Sequence, residues 1–280
     1  MQQLSLLIVM LAALIIPIIM ARFKVSSIPT AIAEIITGII LGKSFLNIVN
    51  PNWTLNMMSS MGVIMLMFLS GMEINFDLFR KTPGKKRDSK SPVVMASQAF
   101  GLIIAAALII AIVISRLGLF KDVLLATIIF STVALGVVIA TLKEKDILQK
   151  PVGQTILLTA VLGEVVPMLA LTFYASINGG NARRLWLIVL LFLAAFILLR
   201  RFKQPYVWFN KISKSTTQLD VRLAFFLIFA LVTIAETVGA ENILGAFLAG
   251  MVMKLLQPSE TTEDRLNSIG YGFLIPFFFI

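Results

Sequence analysis

The stretch LLTAVLGEVVPMLALTFYA, from Leu157 to Ala175, is almost wholly apolar and holds one charged residue, Glu164. Its 19 residues come close to the roughly 20 that a helix needs to cross the hydrocarbon core of a bilayer. A carboxylate at the centre of such a helix costs about 3 kcal/mol to insert, and such residues usually serve a function. The stretch therefore predicts a transmembrane helix with a functional acid.

The composition extends this interpretation to the whole chain. Apolar residues make up 59% of the sequence and charged residues only 14%, which is typical of a polytopic membrane protein rather than a soluble domain. Cys and His are absent, which excludes disulfides, thiolate chemistry and the usual transition-metal ligands, so no cofactor is expected. We predict an all-α protein with nine complete spans and part of a tenth: Leu4–Ala21, Ile28–Leu46, Leu55–Ile74, Val93–Ser115, Val123–Leu142, Gln154–Ile177, Leu185–Leu199, Leu219–Val238, Ile243–Leu256 and a last one that starts near Asn267.

The positive charges lie in the loops between these segments and predict the orientation. With alternating loops assigned to opposite sides, 19 of the 24 Lys and Arg fall on one side and five on the other. Basic loops stay in the cytoplasm, so the N-terminus is predicted outside a cytoplasmic membrane. The net charge of +10 therefore indicates topology and contact with lipid, not nucleic acid.

An internal repeat is visible at both ends of the chain. ITGIILGK (36–43) and MGVIMLMFLSG (61–71) resemble FLAGMVMK (247–254) and YGFLIPFFFI (271–280), with Gly38 opposite Gly250 and Gly62 opposite Gly272. An odd number of predicted spans separates the two copies, as an inverted repeat requires. We predict a first repeat over about residues 4–177, a linker helix over about 185–203 and an incomplete second repeat over about 218–280.

The segments IPTAIAEIITGIILGKSF (28–45), MGVIMLMFLSGMEINFDLFRK (61–81), FSTVALGVVIATLKEKDIL (130–148) and LGAFLAG (244–250) with IPFFFI (275–280) resemble the monovalent cation:proton antiporters, in the potassium-efflux-like branch. The resemblance implies the sodium/proton exchanger fold, two interrupted helices that cross near the midplane, an ion-binding acidic pair on the sixth helix and a homodimer. This chain has Gly163-Glu164 where the family usually carries Asp-Asp or Asn-Asp.

The fifth segment has features of an interrupted helix. Ser131, Thr132 and Gly136 supply hydroxyls and a flexible point in mid-span, and open backbone at membrane depth is tolerated where it lines a cavity or is buried by protein. Alkali cations are hard ions that favour oxygen ligands. We expect an alkali cation at Glu164 and Thr132, assisted by carbonyls of the opened segment. The alternative is that Ser131 and Thr132 bond back to their own helix.

The neighbours of Glu164 favour a local disruption of its helix. Gly163 has no side chain and permits close approach, and Pro167 lacks the N–H that would bond to the Gly163 carbonyl. An alternative role for Glu164 is a structural ion pair with a Lys or Arg of another helix.

Three further acids are candidates for a proton path. Glu34 and Glu236 fall within apolar segments, where an interface or a polar seam is the alternative position. Glu73 ends the third segment in the GMEI pattern, where a structural role at the interface is the alternative.

These residues together predict a transporter rather than an enzyme. Protons and a monovalent cation, Na⁺ or K⁺, would compete for Glu164 in an alternating-access cycle, because burial disfavours an unpaired charge. A carrier of organic anions would need a mid-span Lys or Arg, which the apolar segments lack. A membrane sensor or scaffold that keeps the fold without transporting is the alternative from another class. The last segment is too short to span, so we expect the chain to be part of a longer transporter with about three more helices.

Overall fold

A computed structural model describes residues 2–23, 29–43, 45–74, 91–178, 192–201, 217–238 and 241–280. All regular structure in these ranges is helical, which confirms the all-α prediction. The helices are α1 (Gln2–Arg22), α2 (Thr30–Leu41), α3 (Trp53–Met72), α4 (Pro92–Arg116), α5 (Val123–Phe130), α6 (Leu135–Glu144), α7 (Pro151–Asn178), α8 (192–201), α9 (Leu219–Val238), α10 (Asn242–Leu255), α11 (Glu260–Ile269), a π-helical turn (Gly270–Leu274) and α12 (Pro276–Phe279).

Several helices are long and apolar enough to cross a membrane. Among the described residues there are five such stretches: Leu4–Arg22, Trp53–Met72, Pro92–Arg116, Val123–Glu144 and Pro151–Leu171. Helices α2 and α10 are apolar but shorter. Each coincides with a segment predicted from the sequence, and the chain is a multi-pass membrane protein.

Two predicted segments differ from the observed helices. Helix α2 ends at Leu41 rather than Leu46, because Gly42 adopts extended backbone and Asn47 is left-handed with φ of 52°. The last helical region begins at Glu260 rather than near Asn267, because the Ser259 side chain caps α11 by accepting a hydrogen bond from the Thr262 N–H. For the segment predicted over Leu185–Leu199, residues 192–201 are helical and 185–191 lie outside the described residues.

The chain divides into two compact units. The first comprises Met1–Glu73, Ala195–Thr233 and Gly245–Ile280, and the second comprises Ile74–Ala194 and Ile234–Leu244. In the first unit α3 is the central element, with an almost fully buried run from Met65 to Met72 that packs against the π-helical turn and α12. Helices α1 and α2 pack against each other and against α12.

Glycines allow the backbones of the first unit to touch. A Cβ added at Gly250 would overlap the Phe68 carbonyl, and one added at Gly71 would overlap the Phe247 carbonyl. At Gly62 the added atom would lie 2.5 Å from the Leu274 carbonyl oxygen. Helices α3 and α10 therefore cross with no side chain between them at Gly71 and Gly250.

The second unit carries the interrupted helix. Helix α4 packs against α5 and α7, and α5 and α6 both pack along α7. The turn before α7 is fixed by the buried Gln154 side chain, whose Nε2 donates to the Leu148 carbonyl at 2.8 Å. These contacts hold the ends of α5 and α6 against the middle of α7.

Candidate functional site

The apolar stretch Val123–Glu144 is one membrane span built from two short helices. Helix α5 stops at Phe130 and α6 starts at Leu135, so residues 131–134 are non-helical. This confirms the predicted interruption. Its position corrects one detail, because Gly136 lies inside α6 and is not the flexible point.

The interruption is tied to α7 through the carbonyl that Pro167 leaves without a helical donor. Pro167 has no N–H, so the Gly163 carbonyl four residues earlier lacks its usual bond within the helix. The Val133 N–H, which belongs to the interruption, donates to that oxygen at 2.9 Å. The Val133 N–H, which the interruption leaves outside a helix, thus bonds to the Gly163 carbonyl, which Pro167 leaves without a donor.

Gly163 makes this contact sterically possible. A Cβ added there would lie 2.5 Å from Val133 Cγ2 and 2.9 Å from Val133 Cβ. Both distances are well below the 3.5–4.0 Å at which carbon atoms normally pack. The sequence predicts that Gly163 permits close approach, and the structure shows Val133 in that close contact.

Glu164 belongs to α7 and is half-buried, and its carboxylate lies at the start of α6. Its Oε2 accepts a hydrogen bond from the Leu135 N–H at 2.9 Å. The first N–H groups of a helix lack acceptors within it and carry a partial positive charge, so they stabilise a nearby carboxylate. Over the described ranges no Lys or Arg forms an ion pair with Glu164. Within those ranges the group bonded to the Glu164 carboxylate is therefore a backbone N–H and not a Lys or Arg side chain.

The hydroxyls of the interruption donate to the end of their own helix. Ser131 Oγ bonds to the Ile128 carbonyl at 2.9 Å, and Thr132 Oγ1 bonds to the Ile129 carbonyl at 2.7 Å. This is the local pattern that the sequence leaves open as the alternative. A hydroxyl that donates its proton still has lone pairs, so both oxygens retain the capacity to accept or to ligate.

Three backbone carbonyls at the interruption have no donor among the described residues. In the part of the chain that the structure describes, no donor reaches the carbonyl oxygens of Ser131, Thr132 or Val133. Such oxygens are ligands that hard cations prefer. Because the Glu164 carboxylate bonds to the Leu135 N–H directly after the interruption, carbonyl, hydroxyl and carboxylate oxygens lie at one place in the second unit.

The three further acids belong to helices other than the one that carries Glu164. Glu34 is buried in α2 and Glu73 caps the C-terminal end of α3, both within the first unit. Glu236 is exposed near the end of α9 and accepts a hydrogen bond from the Asn242 Nδ2 at 3.1 Å. A role for any of them in proton movement remains a prediction.

One contact of the second unit, between Asp122 and Tyr174, was not predicted from the sequence. Asp122 caps the start of α5, where its Oδ1 accepts from the Leu125 N–H at 2.9 Å, and its Oδ2 accepts from the Tyr174 hydroxyl of α7. The Leu125 N–H and then the Tyr174 hydroxyl hold the pKa of Asp122 below its ordinary value. An Asp just before an apolar run is a helix-start signal, but nothing in the sequence indicates its partner 52 residues later.

Comparison with known proteins decides the family. The sodium/hydrogen exchanger transmembrane family matches residues 9–280, nearly the whole chain. The chain belongs to this exchanger family. A protein of Bacillus subtilis (strain 168) named "Putative Na(+)/H(+) antiporter YjbQ" is 42% identical over 288 residues, which cover 99% of this chain and 46% of that protein.

More distant relatives show the same pattern. "Probable Na(+)/H(+) antiporter 3" of Methanocaldococcus jannaschii is 28% identical over 95% of this chain and 67% of its own length. The "Na(+)/H(+) antiporter" of Enterococcus hirae is 25% identical over 90% of this chain and 66% of its own length. The chain thus spans about half to two thirds of the length of these three relatives, which are named as transporters, not as enzymes.

Proposed function

We propose that this protein exchanges protons for a monovalent cation, Na⁺ or K⁺, across the cytoplasmic membrane by alternating access, with Glu164 as the shared binding group. The observation that carries the proposal is the environment of this carboxylate. Glu164 lies in a membrane span beside an interrupted helix, and its described partner is a backbone N–H instead of a fixed positive charge. The family membership and the names of the relatives support the same reaction.

The oxygens around the interruption suit an alkali cation as substrate. Glu164 supplies the negative charge, and the Ser131, Thr132 and Val133 carbonyls have no described donor. The Ser131 and Thr132 hydroxyls donate their protons to carbonyls of α5, so their oxygen lone pairs remain free to bind a cation. Gly163 contributes by letting the interruption lie directly against α7.

A single carboxylate at this place provides a simple coupling between the two ions. A proton and a cation both neutralise Glu164, so binding of one opposes binding of the other. The absence of an adjacent Asp or Asn at Gly163 limits the exchange to one cation per proton. Each half of the cycle would then carry the site across with its charge neutralised.

The wider architecture forms part of the proposal. We place the N-terminus outside and assign nine complete spans and part of a tenth, with an inverted repeat over about residues 4–177 and 218–280 joined by a helix over about 185–203. Glu34, Glu73 and Glu236 are candidates for the proton path. A homodimer in contact with membrane lipid completes the arrangement.

One observation favours a second candidate function. Glu164 caps α6 through the Leu135 N–H, which is a structural task that a protein without transport activity would also need. A membrane sensor or scaffold with this fold would keep the cap and have no use for the negative charge.

The two functions are separated by substitutions that remove the charge with or without the cap. Glu164→Gln keeps a side-chain oxygen that can accept from the Leu135 N–H, whereas Glu164→Ala removes both charge and acceptor. We expect Glu164→Gln to abolish cation-dependent proton movement in proteoliposomes tested with Na⁺, K⁺ and Li⁺, and to leave the melting temperature close to that of the unmodified protein. Glu164→Ala should abolish exchange and also lower the melting temperature.

A matched control is Glu260→Gln, the same chemical change at an exposed position in the first turn of α11. It should leave exchange unchanged. Full exchange by Glu164→Gln would show that the carboxylate is not the ion-binding group. An unmodified full-length protein that moves no cation under any of the three salts would favour the sensor or scaffold.

A further inference from the structure

Helix α5 is fastened to α7 at both of its ends. At the interruption the Val133 N–H donates to the Gly163 carbonyl, and at the other end the Tyr174 hydroxyl donates to Asp122. Val133 lies 11 residues after Asp122, and Gly163 lies 11 residues before Tyr174. The two helices therefore run antiparallel in register, with the two attachments about 16 Å apart at 1.5 Å per residue.

The two attachments differ in how easily they release. The bond at Gly163 joins two backbone groups in the interior of the unit, and both segments would have to move for it to break. The bond at Asp122 joins two side chains, both partly exposed, which can rotate away and bond to water instead. Exchange of a protein hydrogen bond for bonds to water makes the net contribution of such a contact small, so it can open and close readily.

Asp122 is built so that this opening does not damage α5. Its Oδ1 accepts from the Leu125 N–H and caps the helix, while its Oδ2 accepts from Tyr174. The second bond can break while the first remains. The start of α5 could then part from α7 while the helix stays packed against α4.

We infer that the Asp122–Tyr174 pair is a clasp that controls access to the interruption from the outer side, and that both residues are positioning residues for exchange. The inference rests on the proposed function and on the proposed orientation, which puts the start of α5 outside. When the clasp is closed, α5 lies along α7 and covers the route between them. When it opens, Ser131, which is buried in the closed form, and the buried part of Glu164 become reachable from outside.

These 280 residues contain no cysteine, which allows a direct test of access. Ser131→Cys places a thiol in the interruption, at a residue whose side chain is buried while the clasp is closed. The rate at which a membrane-impermeant maleimide labels this thiol from outside, in right-side-out vesicles of the full-length protein, measures how often the outer route is open. Tyr174→Phe, which removes only the hydroxyl, should raise this rate about two- to tenfold, the effect of one lost hydrogen bond.

A second variant separates the clasp from the cap. Asp122→Ser keeps a side-chain oxygen that can cap α5 but is too short to reach Tyr174, so it should raise labelling as much as Tyr174→Phe. The double variant should raise it no further, because both changes remove the same bond. Asn52→Ser is the matched control, since the Asn52 side chain caps α3 in the same way by accepting from the Leu55 N–H.

The same variants should lower the apparent KM for cation supplied from outside and lower kcat, because the outward-open form becomes more populated. Unchanged labelling in Tyr174→Phe would overturn the clasp, and so would faster labelling in Asp122→Ser alone, which would point to the cap. The labelling rate is read without transport. A protein that exchanges no ions but labels faster in both variants would therefore refute the proposed function and leave control of access by the clasp intact.

Discussion

A methyl group added at Gly163 tests the arrangement of the site most directly. In Gly163→Ala the new Cβ would lie 2.5 Å from Val133 Cγ2 and 2.9 Å from Val133 Cβ. Rotation of the Val133 side chain relieves the first contact but not the second, because Cβ stays in place. Carbon atoms pack at about 3.5–4.0 Å, so the interruption and α7 must separate by roughly 1 Å.

This separation would act on two hydrogen bonds at once. The Val133 N–H to Gly163 carbonyl bond and the Leu135 N–H to Glu164 bond are each 2.9 Å long. An extension of about 1 Å takes both beyond hydrogen-bond distance. Overpacking of this kind costs about 1–3 kcal/mol of stability. A displacement of about 1 Å at a reacting group can reduce a rate a hundredfold, so we expect exchange to fall at least about tenfold.

The assay is Na⁺- and K⁺-driven proton movement in proteoliposomes, together with thermal unfolding of the purified full-length protein in detergent. Val133→Gly in the Gly163→Ala background removes Cβ as well as Cγ2 and should recover part of the exchange rate. Gly101→Ala in α4 is the matched control, because a Cβ added there meets nothing within 4 Å. If Gly163→Ala exchanged ions and unfolded like the unmodified protein, the contact between Val133 and Gly163 would not hold the site.

The remaining predictions concern stoichiometry, pH and helix crossing. Exchange should be electroneutral, since one carboxylate alternates between one proton and one cation; a rate that changed with a clamped membrane potential, as net charge movement requires, would exclude this scheme. The lowered pKa of Asp122 means that its ionised form stabilises the folded state at neutral pH, and this contribution should be lost progressively as the pH falls below about 4. Melting temperatures measured from neutral to acid pH should therefore fall less steeply in Asp122→Asn, and an identical slope would argue against the role of Asp122. In Gly250→Ala the added Cβ would overlap the Phe68 carbonyl oxygen, so size-exclusion chromatography should show no folded protein. Gly272→Ala is the control and should fold, because its added Cβ meets nothing within 4 Å.

The apolar segments were predictable because their length and hydropathy follow directly from the bilayer. Glu164 and the interruption near Ser131 were also predictable, since an acid or a polar pair in an apolar run has a cost that sequence alone reveals. The partner of Glu164 was not predictable, because it is the backbone N–H of Leu135 and every residue except proline carries one. The helical start at Glu260 was also missed. The first residues of α11 are polar, so the apolar pattern did not reveal the helix that Ser259 caps.

The directions of the Ser131 and Thr132 hydroxyls were not predictable. The sequence identifies Ser131 and Thr132 as polar groups at membrane depth, and the structure places both at the interruption. Whether their protons point back to Ile128 and Ile129 or toward the site depends on the local backbone angles, which a sequence pattern does not specify. Their predicted role as cation ligands therefore depends on lone pairs alone.

Pro167 has a consequence for how this site can change over generations. The Gly163 carbonyl is available to Val133 because position 167 supplies no N–H, and Val133 can approach because position 163 supplies no side chain. A descendant that replaced the proline would restore a competing donor, and one that replaced the glycine would close the gap. Neither substitution is easily accepted alone, so positions 133, 163 and 167 should be inherited as a set. Relatives that alter one of the three should carry a compensating change at another.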